Sequence, residues 1–369
     1  MSRVLERRRE LLKIIRQFTL DAGSVTVNEL ADAAGVPRST AQDWISRLIE
    51  ERCVVQKEDA RGRQPARYAA ASAVPSSACR RIFTTIDGDH VEIYHECMSA
   101  GCAAFCEFHH RLAKGALDRV ERDGVLLREC ARIGTVDLEI GLYPHAAVGI
   151  RGLSKSGDCI VQHIRCIGGP AYSLTDMMSD AKGVCDVRVH RAGHVVEGEI
   201  YTRALAYLAI GIDDTDARDQ GATFAVALAL LQHLGALEGV IPIGHHVVML
   251  YPRLPAKTAG NSCSYIEMAV EPELVPRILE KAERFISDES LSPNWGIAAK
   301  TGFTVPPALR AFGNAARRGM VTKREAEETA ASFGIRIAGG TGVIGALAAV
   351  ALRGVPRDIL LDPGRDVLC

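Results

Sequence analysis

A short apolar run that ends in closely spaced aspartates constrains the fold of this chain more than any other feature. Tyr207 to Ile212 predicts a buried strand. Three carboxylates follow where that strand should end: Asp213, Asp214 and Asp216. After a polar turn, Thr223 opens an apolar stretch that predicts a helix. In α/β proteins this arrangement binds phosphate and Mg²⁺, because unpaired backbone N–H groups and the helix dipole face the ligand. The alternative is an acidic turn in which Asp216 or Thr223 only caps the helix.

Length and composition indicate several globular domains. We expect two to three domains for 369 residues, and the hydrophobic fraction of 47% and charged fraction of 24% are typical of a water-soluble protein. No run approaches the roughly 18 apolar residues of a membrane-spanning helix. The charged stretch Met1 to Glu10 lacks the apolar region of a signal peptide, so we expect a cytoplasmic protein. Eleven cysteines indicate free thiols, a metal site or redox chemistry rather than a disulfide framework.

The first 70 residues predict three helices followed by a hairpin. Helical periodicity runs from Arg7 to Phe18, and Thr26-Val-Asn-Glu29 is a capping box for a second helix. Gly35 to Thr40 predicts a turn into a third helix, and two short strands flank the charged loop Glu58 to Gln64. This order resembles a winged helix-turn-helix domain, which is found in many bacterial and archaeal transcription regulators.

The winged-helix resemblance implies contacts with DNA. The third helix would meet the major groove through Arg38, Ser39, Thr40, Gln42 and Arg47. The wing would meet phosphate or the minor groove through Arg61, Arg63 and Arg67. Because the segment is only mildly basic, a protein-interaction or dimerisation module is the alternative, and a homodimer is one expected state. Residues 71–78 are small and polar, which predicts a linker.

Residues 79–204 predict an α+β domain with a candidate metal site. Cys102, Cys106 and His110 fall on one face of a predicted helix, and Cys97 comes just before it. Thiolates and an imidazole suit Zn²⁺ or an iron–sulfur cluster. The alternative is a set of small buried thiols. A second group gives a weaker signal of the same kind within predicted strands: Cys159, His163, Cys166 and Cys185. A further strand is predicted at Val136 to Leu142.

Two more motifs follow the acidic turn. Lys257-Thr258-Ala-Gly260-Asn261 comes shortly after a predicted strand, and its lysine can offset phosphate charge. Gly339-Gly340-Thr341-Gly342 enters an apolar helix, and its N–H groups can form an anion-binding nest. For Gly345, inside that helix, close packing through small residues is the alternative.

The three motifs, in this order, resemble the kinase-type domain of the archaeal agmatinylcytidine synthetases, which modify an isoleucine tRNA. The resemblance covers about residues 207–352 and implies an α/β kinase-like domain over residues 205–369. It implies that ATP and Mg²⁺ activate a carbonyl or amide oxygen by phosphorylation. Asp213, Asp214 and Asp216 match the metal and phosphate aspartates, Thr223 matches a threonine that can be phosphorylated, and Lys257 matches the second motif. Nucleotide contacts are implied for Gly211, Thr215, Thr258, Gly260, Asn261, Gly339, Gly340 and Gly342.

Departures from that family predict a different substrate. The chain has Ala222-Thr223-Phe224 where the family usually has Cys-Thr-Thr, and its kinase-like unit follows the other domains. We recognise no OB or zinc-ribbon domain of the kind that holds tRNA there. We therefore expect a paralogue that keeps the ATP-dependent activation, and such a domain also resembles one of the methanogenesis marker proteins. The rival hypothesis is a transcription regulator whose kinase-like domain senses a nucleotide or metabolite.

Overall fold

The N-terminal unit consists of three helices and a two-stranded hairpin. The computed structural model describes residues 3–62, 64–71, 79–168, 178–255, 260–365 and 367. The first elements are α1 (Arg3–Ala22), α2 (Val27–Ala34), α3 (Arg38–Glu50), β1 (Val54–Glu58) and β2 (Arg67–Ala70). Leu11, Ile45 and Leu48 are fully buried between the helices. Thr26 Oγ1 accepts the Glu29 N–H at 3.2 Å, and the Glu29 carboxylate accepts the Thr26 N–H at 2.7 Å. The predicted three helices, capping box and hairpin are therefore confirmed.

One curled, mixed sheet of 13 strands carries the rest of the chain. Its strands are β3 (Cys79–Asp87), β4 (His90–Cys97), β5 (Leu117–Asp123), β6 (Leu126–Arg132), β7 (Gly134–Thr135), β8 (Val148–Ser156), β9 (Cys159–Ile167), β10 (Val184–Ala192), β11 (Val195–Asp213), β12 (Val240–Met249), β13 (Ser262–Val270), β14 (Gly296–Thr301) and β15 (Arg336–Gly339).

The 19-residue strand β11 connects the two parts of this sheet. Its first half pairs antiparallel with β9 and β10, and its second half pairs antiparallel with β13 and β14. Between these halves, residues 204–206 run parallel to β3. The expected division between residues 204 and 205 thus falls inside one continuous strand.

Helices cover both faces of the C-terminal part of the sheet. The remaining helices are α4 (Ala100–Ala113), α5 (Thr223–Gly235), α6 (Val275–Glu289), α7 (Pro307–Arg318), α8 (Lys323–Ser332), α9 (Val343–Ala351) and α10 (Arg357–Leu360). Leu208, Ile210 and Ile212 of β11 pack with α5 and α6, whereas Tyr207 and Ala209 pack with α7, α8 and α9. Side chains alternate along a strand, so β11 supplies both cores. Within the described residues, no helix combines the length and the apolar character needed to cross a membrane.

Two expectations about secondary structure are corrected. The five strands β12, β13, β11, β14 and β15 pair antiparallel, which differs from the parallel sheet usual in α/β domains. Val136 to Leu142 is not a strand, since only Gly134–Thr135 pairs with β8 there. Of its alternating apolar residues, Leu138 is buried whereas Val136 and Leu142 are exposed, so the alternation does not mark the buried face of a strand.

A buried network of ion pairs joins the two parts of the sheet. Arg353 follows α9 and contacts both Glu92 of β4 and Glu267 of β13, and all three are at most 5% exposed. Arg353 also donates to the Tyr207 hydroxyl at 3.1 Å, and Arg128 of β6 donates to Glu267 at 2.8 Å. Burial alone would raise the pKa of both glutamates. Arg353 and Arg128 outweigh it at Glu92, and Arg128, His246 and Arg353 outweigh it at Glu267, so each pKa lies below its ordinary value.

Candidate functional site

The acidic turn opens into a cleft of about 520 Å³. The end of β11, the starts of α5 and α9, and the loop before β13 surround it. Residues from all three sequence motifs line this cleft: Asp213, Asp214, Asp216, Thr223, Gly260, Asn261 and Gly342. The structure therefore brings together segments that lie far apart in the chain.

Two helix starts face this cleft without a side-chain cap. Ala222 precedes α5 and Gly342 precedes α9, and neither residue has a side chain that can accept a hydrogen bond. Thr223 and Phe224 at one start, and Ile344 and Gly345 at the other, line the cleft. The first N–H groups of a helix lack partners inside the helix, and its dipole is positive there. At α9 the Ile344 N–H is already engaged, since it donates to the Thr341 carbonyl at 3.1 Å. An anionic group is therefore favoured in this cleft.

The aspartates concentrate negative charge beside these helix starts. Burial raises the pKa of Asp213 well above its ordinary value, and the carboxylates of Asp214 and Asp216 act in the same direction. Burial also raises the pKa of Asp214, against the hydroxyl of Ser292 that donates to it at 3.1 Å. A cation would relieve this repulsion. The three aspartates are not arranged as a metal site by themselves, but one or two carboxylates together with phosphate oxygens suit Mg²⁺.

The threonines of the turn form a hydrogen-bonded chain with Asp216. Thr215 Oγ1 donates to Thr223 Oγ1 at 3.2 Å, and Thr223 Oγ1 donates to Asp216 at 3.0 Å. Thr215 is only 1% exposed and lies beneath the cleft, not along it. Thr215 therefore orients the Thr223 hydroxyl, and it does not line the cleft in which its nucleotide contact was implied.

The glycine-rich loop does not form the predicted anion-binding nest. The Gly340 N–H donates to the Trp295 carbonyl at 2.7 Å, and the Gly342 N–H donates to the Asn294 carbonyl at 2.8 Å. A β-carbon on Gly339 or Gly340 would collide with the backbone of Trp295 or Asn294. These two glycines therefore allow close packing, and of the glycines predicted in this loop only Gly342 lines the cleft.

Of the other residues with an implied nucleotide contact, some line the cleft and some do not. Gly211 lies under α9, where a β-carbon would collide with the Ala346 carbonyl, so it contributes packing and not a ligand contact. Asn261 lines the cleft, and its amide donates to the Tyr251 carbonyl at 2.8 Å. Gly260 also lines the cleft. Lys257 and Thr258 lie outside the described residues.

The predicted metal site of cysteines and histidine is not assembled. Cys97 and Cys106 are buried in an apolar cluster with Ala103, and Cys102 lies at its edge. His110 hydrogen-bonds Glu129 through Nδ1 instead of joining the thiols. In the part of the chain that the structure describes, no three His, Cys, Asp or Glu side chains are arranged to hold a metal ion. The ten cysteines found there are all free thiols.

The second cysteine group is not assembled either. Cys166 is buried in the apolar core, whereas His163 accompanies Glu197 and Glu199 on the opposite, polar face of the sheet. Cys185 is exposed. Side-chain alternation along β9 places His163 and Cys166 on opposite faces, whereas the thiols of Cys159 and Cys185 hydrogen-bond each other.

The N-terminal unit exposes part of the predicted DNA-contacting set. Arg38, Ser39, Arg47 and Arg61 are exposed, while Thr40 and Gln42 are partly buried on α3. Arg67 is used within the unit, because its guanidinium donates to Ser24 Oγ at 2.7 Å. Arg63 lies outside the described residues.

Sequence reasoning missed several residues of the cleft. Ser292 reaches Asp214 from a loop that carries no motif. Tyr251, Leu254 and Met320 line the cleft from loops whose apolar residues give no periodic pattern. Phe224 also lines it, and its position directly after Thr223 was the one available signal.

Two segments of the chain match known domain families. Residues 11–58 match the IclR helix-turn-helix domain, and residues 209–271 match the TiaS TCKD domain. Both resemblances found in the sequence are therefore confirmed. The chain thus combines a segment similar to an IclR helix-turn-helix domain with a segment similar to a TiaS TCKD domain.

Particular relatives share part of this chain. It is 29% identical over 184 residues to an uncharacterized protein of Methanocaldococcus jannaschii, covering 48% of this chain and 61% of that protein. It is 32% identical over 108 residues to the isoleucine-tRNA 2-agmatinylcytidine synthetase TiaS of Thermofilum pendens, covering 29% of this chain and 22% of the synthetase. The chain thus spans less than two thirds of either relative.

Among solved structures, the complex of TiaS with its isoleucine tRNA and ATP is similar at 25% identity and a TM-score of 0.37. That similarity covers 39% of this chain and 36% of the TiaS chain.

Proposed function

We propose that this protein binds ATP with Mg²⁺ and uses it to activate a carbonyl or amide oxygen of a substrate by phosphoryl transfer. The observation that carries the proposal is the convergence of Asp213, Asp214, Thr223 and Gly342 on one cleft at two uncapped helix starts. The match of residues 209–271 to the TiaS TCKD domain supports it. Phosphoryl transfer requires mainly positioning and neutralisation of oxygen charge, which these elements supply.

Each element of the cleft has a distinct part in this proposal. Asp213 and Asp214 would hold Mg²⁺, which would supply charge neutralisation at the phosphates. The starts of α5 and α9 would bind phosphate oxygens. The Thr223 hydroxyl, oriented by Thr215 and Asp216, would lie next to the phosphates as a hydrogen-bonding group or phosphate acceptor.

Titration calorimetry with Mg²⁺ and a non-hydrolysable ATP analogue tests the binding step. We expect binding to the wild type and a loss of at least tenfold in affinity in the Asp213→Asn, Asp214→Asn double variant. The matched control is Asp219→Asn, an exposed aspartate that does not line the cleft. Equal affinities for wild type and double variant would contradict the proposal.

The substrate is proposed to differ from that of the synthetases. Measuring ATP consumption with and without an isoleucine tRNA transcript tests this. We expect basal consumption that the transcript does not stimulate. Stimulation together with agmatine incorporation would show that the substrate is shared.

The exposed face of α3 favours a second function, binding of DNA. Arg38, Ser39 and Arg47 are exposed on this helix, and residues 11–58 match the IclR helix-turn-helix domain. If these residues meet DNA, affinity should fall steeply as salt rises, because phosphate contacts release counterions. We expect Arg47→Ala to weaken binding and Lys13→Ala, an exposed change on α1, to leave it unaltered. A salt-insensitive, weak association would exclude this function.

A further inference from the structure

A second cavity, of about 490 Å³, lies on the polar face that the first half of β11 forms with its neighbouring strands. Strands β7, β8, β9, β10 and β11 each contribute residues to it, and none of these residues lines the cleft at the acidic turn. A flat sheet has no cavity on its face, so this face is concave where the sheet curls. The volume lies in the range typical of small-molecule sites.

Side chains of opposite charge lie next to each other on this face. Glu197 and Glu199 of β11 are two residues apart and therefore point to the same side of the sheet. In the strand register, Arg188 of β10 and His163 of β9 lie on either side of Glu199. Arg151 of β8 reaches Glu197. The cavity thus presents two carboxylates with basic side chains beside them.

These charged groups contact one another only loosely. Arg151 Nη1 lies 3.7 Å from Glu197 Oε1, and His163 Nδ1 lies 3.7 Å from Glu199 Oε1. Both distances exceed the roughly 2.7–3.2 Å of an N–H···O hydrogen bond. The side chains of Arg151 and Glu197 are 45% and 41% exposed, so water screens their attraction and the pair contributes little to stability. A ligand can therefore take hydrogen bonds from both groups at small cost.

The mixture of charges selects the kind of ligand. A simple anion would be attracted by Arg151 and Arg188 but repelled by the two glutamates, and the reverse holds for a simple cation. A ligand that carries both charges can face an unlike group with each of them. In an α-amino acid the ammonium and carboxylate groups are attached to the same carbon, which requires unlike groups as close together as Arg151 and Glu197.

We propose that this cavity binds a free α-amino acid, with the ammonium group on Glu197 and the carboxylate on Arg151. Glu199, Arg188 and His163 line the remaining space and would face the side chain of the ligand. This site is separate from the proposed ATP site, so neither proposal rests on the other.

A thermal-shift measurement on the full chain, with each common L-amino acid in turn at millimolar concentration, tests the proposal. We expect at least one to raise the melting temperature, because a ligand that binds only the folded state stabilises it. Titration calorimetry should then show that its N-acetyl derivative, which lacks the ammonium group, and its amide, which lacks the carboxylate, each bind about tenfold more weakly or worse.

Glu197→Gln and Arg151→Gln should each weaken binding of the same amino acid by about tenfold or more, because each removes a charge-assisted hydrogen bond. Glu121→Gln on β5 and Arg324→Gln on α8 are the matched controls, since both side chains are exposed and neither lines the cavity. The controls should bind as the wild type does.

Three results would each overturn the proposal: no shift with any amino acid, equal binding of the N-acetyl derivative or of the amide, or unchanged affinity in both variants. Equal binding of the N-acetyl derivative would identify an anion site instead. A thermal melt without ligand identifies a variant that does not fold, and the derivatives still decide the matter because they need only the wild type. Binding of the ATP analogue is measured separately and tests the proposed function alone.

Discussion

Asp214 has a backbone conformation that few side chains adopt. Its φ of +56° lies in the left-handed region, where a residue with a β-carbon is strained by roughly 1–2 kcal/mol. Aspartate tolerates this region better than most residues because its short polar side chain can hydrogen-bond locally. Here the carboxylate accepts from Ser292, which is 9% exposed and itself accepts the Asn294 N–H at 3.1 Å. The buried hydroxyl of Ser292 thus positions the carboxylate of Asp214, whose backbone is strained, at the edge of the cleft.

Ser292→Ala is therefore expected to reduce the apparent affinity for Mg²⁺ in nucleotide binding by about three- to tenfold. Loss of one hydrogen bond should cost only about 1 kcal/mol of stability. The measurement is a Mg²⁺ titration at fixed nucleotide, combined with urea unfolding. Ser332→Ala, which removes an exposed hydroxyl from α8, is the control. An unchanged Mg²⁺ midpoint would show that Ser292 does not position Asp214.

The protonation of His110 makes the stability of the fold depend on pH. Burial alone would lower the pKa of His110, but the carboxylate of Glu129 outweighs it and raises the pKa above its ordinary value. The native state then holds this proton more tightly than the unfolded chain, whose histidine pKa is about 6.5. The stabilisation is fully present below that value and is lost as the pH rises through the raised pKa.

Urea unfolding of wild type and His110→Gln at about pH 6 and about pH 8.5 checks this prediction. The wild type should lose more stability than the variant on going to the higher pH, and contributions from groups that do not interact with His110 cancel in that difference. Equal losses would mean that the pair of His110 and Glu129 does not carry a bound proton.

At the level of elements, the contact between α9 and β11 depends on residues without side chains. Gly211 of β11 faces the Ala346 carbonyl of α9, and Gly345 of α9 faces the Asp213 carboxylate. The helix can therefore lie directly on the strand that ends in the acidic turn. The apolar helix and the acidic turn were predictable because each has a local pattern, but their mutual contact was not, because it joins segments that are distant in the chain.

Gly211→Ala should therefore separate α9 from β11. Because the obstructing atom belongs to the backbone, relaxation is limited, and we expect a loss of about 2–3 kcal/mol in unfolding free energy. Gly101→Ala in α4 is the control, since its β-carbon would meet only Ser99 Oγ at 3.8 Å. The control should be neutral or slightly stabilising, as alanine favours helix. Equal stability of the two variants would show that α9 does not pack as closely as described.

Local sequence patterns predict neighbouring residues but not contacts between distant segments, and this explains which parts of the candidate site could be predicted. Asp213, Asp214, Asp216 and Thr223 could be predicted to lie together because they follow one strand end, and all four line the cleft. The nest at Gly339 to Gly342 was wrong because the carbonyls that occupy its N–H groups belong to Asn294 and Trp295, in a loop with no recognisable motif. The cysteine site was wrong because His110 has an acidic partner, Glu129, on another element.

In the whole molecule, the network of Arg353, Glu92 and Glu267 fastens the C-terminal helices to the N-terminal half of the sheet. Its members come from the segment after α9, from β4 and from β13, so no sequence window contains two of them. Replacing one member leaves the others as uncompensated buried charges, which typically costs about 3–5 kcal/mol.

Arg353→Met is accordingly expected to lower the unfolding free energy by about 3–5 kcal/mol, and Arg353→Lys should not restore it, because lysine lacks the planar fork of donors. Urea unfolding followed by fluorescence is the measurement. Arg324→Met, an exposed change on α8, should leave stability unchanged. A loss below about 1 kcal/mol for Arg353→Met would mean that the network is not a structural link.

Because strand β11 runs through both parts of the sheet, it limits where the chain can be divided into shorter proteins. A truncation between residues 204 and 205 would cut a strand whose two halves each pair with different neighbours. Each fragment would keep the antiparallel partners of its half of β11, but the cut would separate Glu92 from Arg353 and leave buried charges uncompensated in both fragments. Co-expressed, the same two fragments carry complementary buried charges, Glu92 and Arg128 on one and Arg353 and Glu267 on the other, and are suited to reassembly as a split protein. A shortened chain intended for expression should instead begin at about residue 79, where β3 starts, and keep β11 whole.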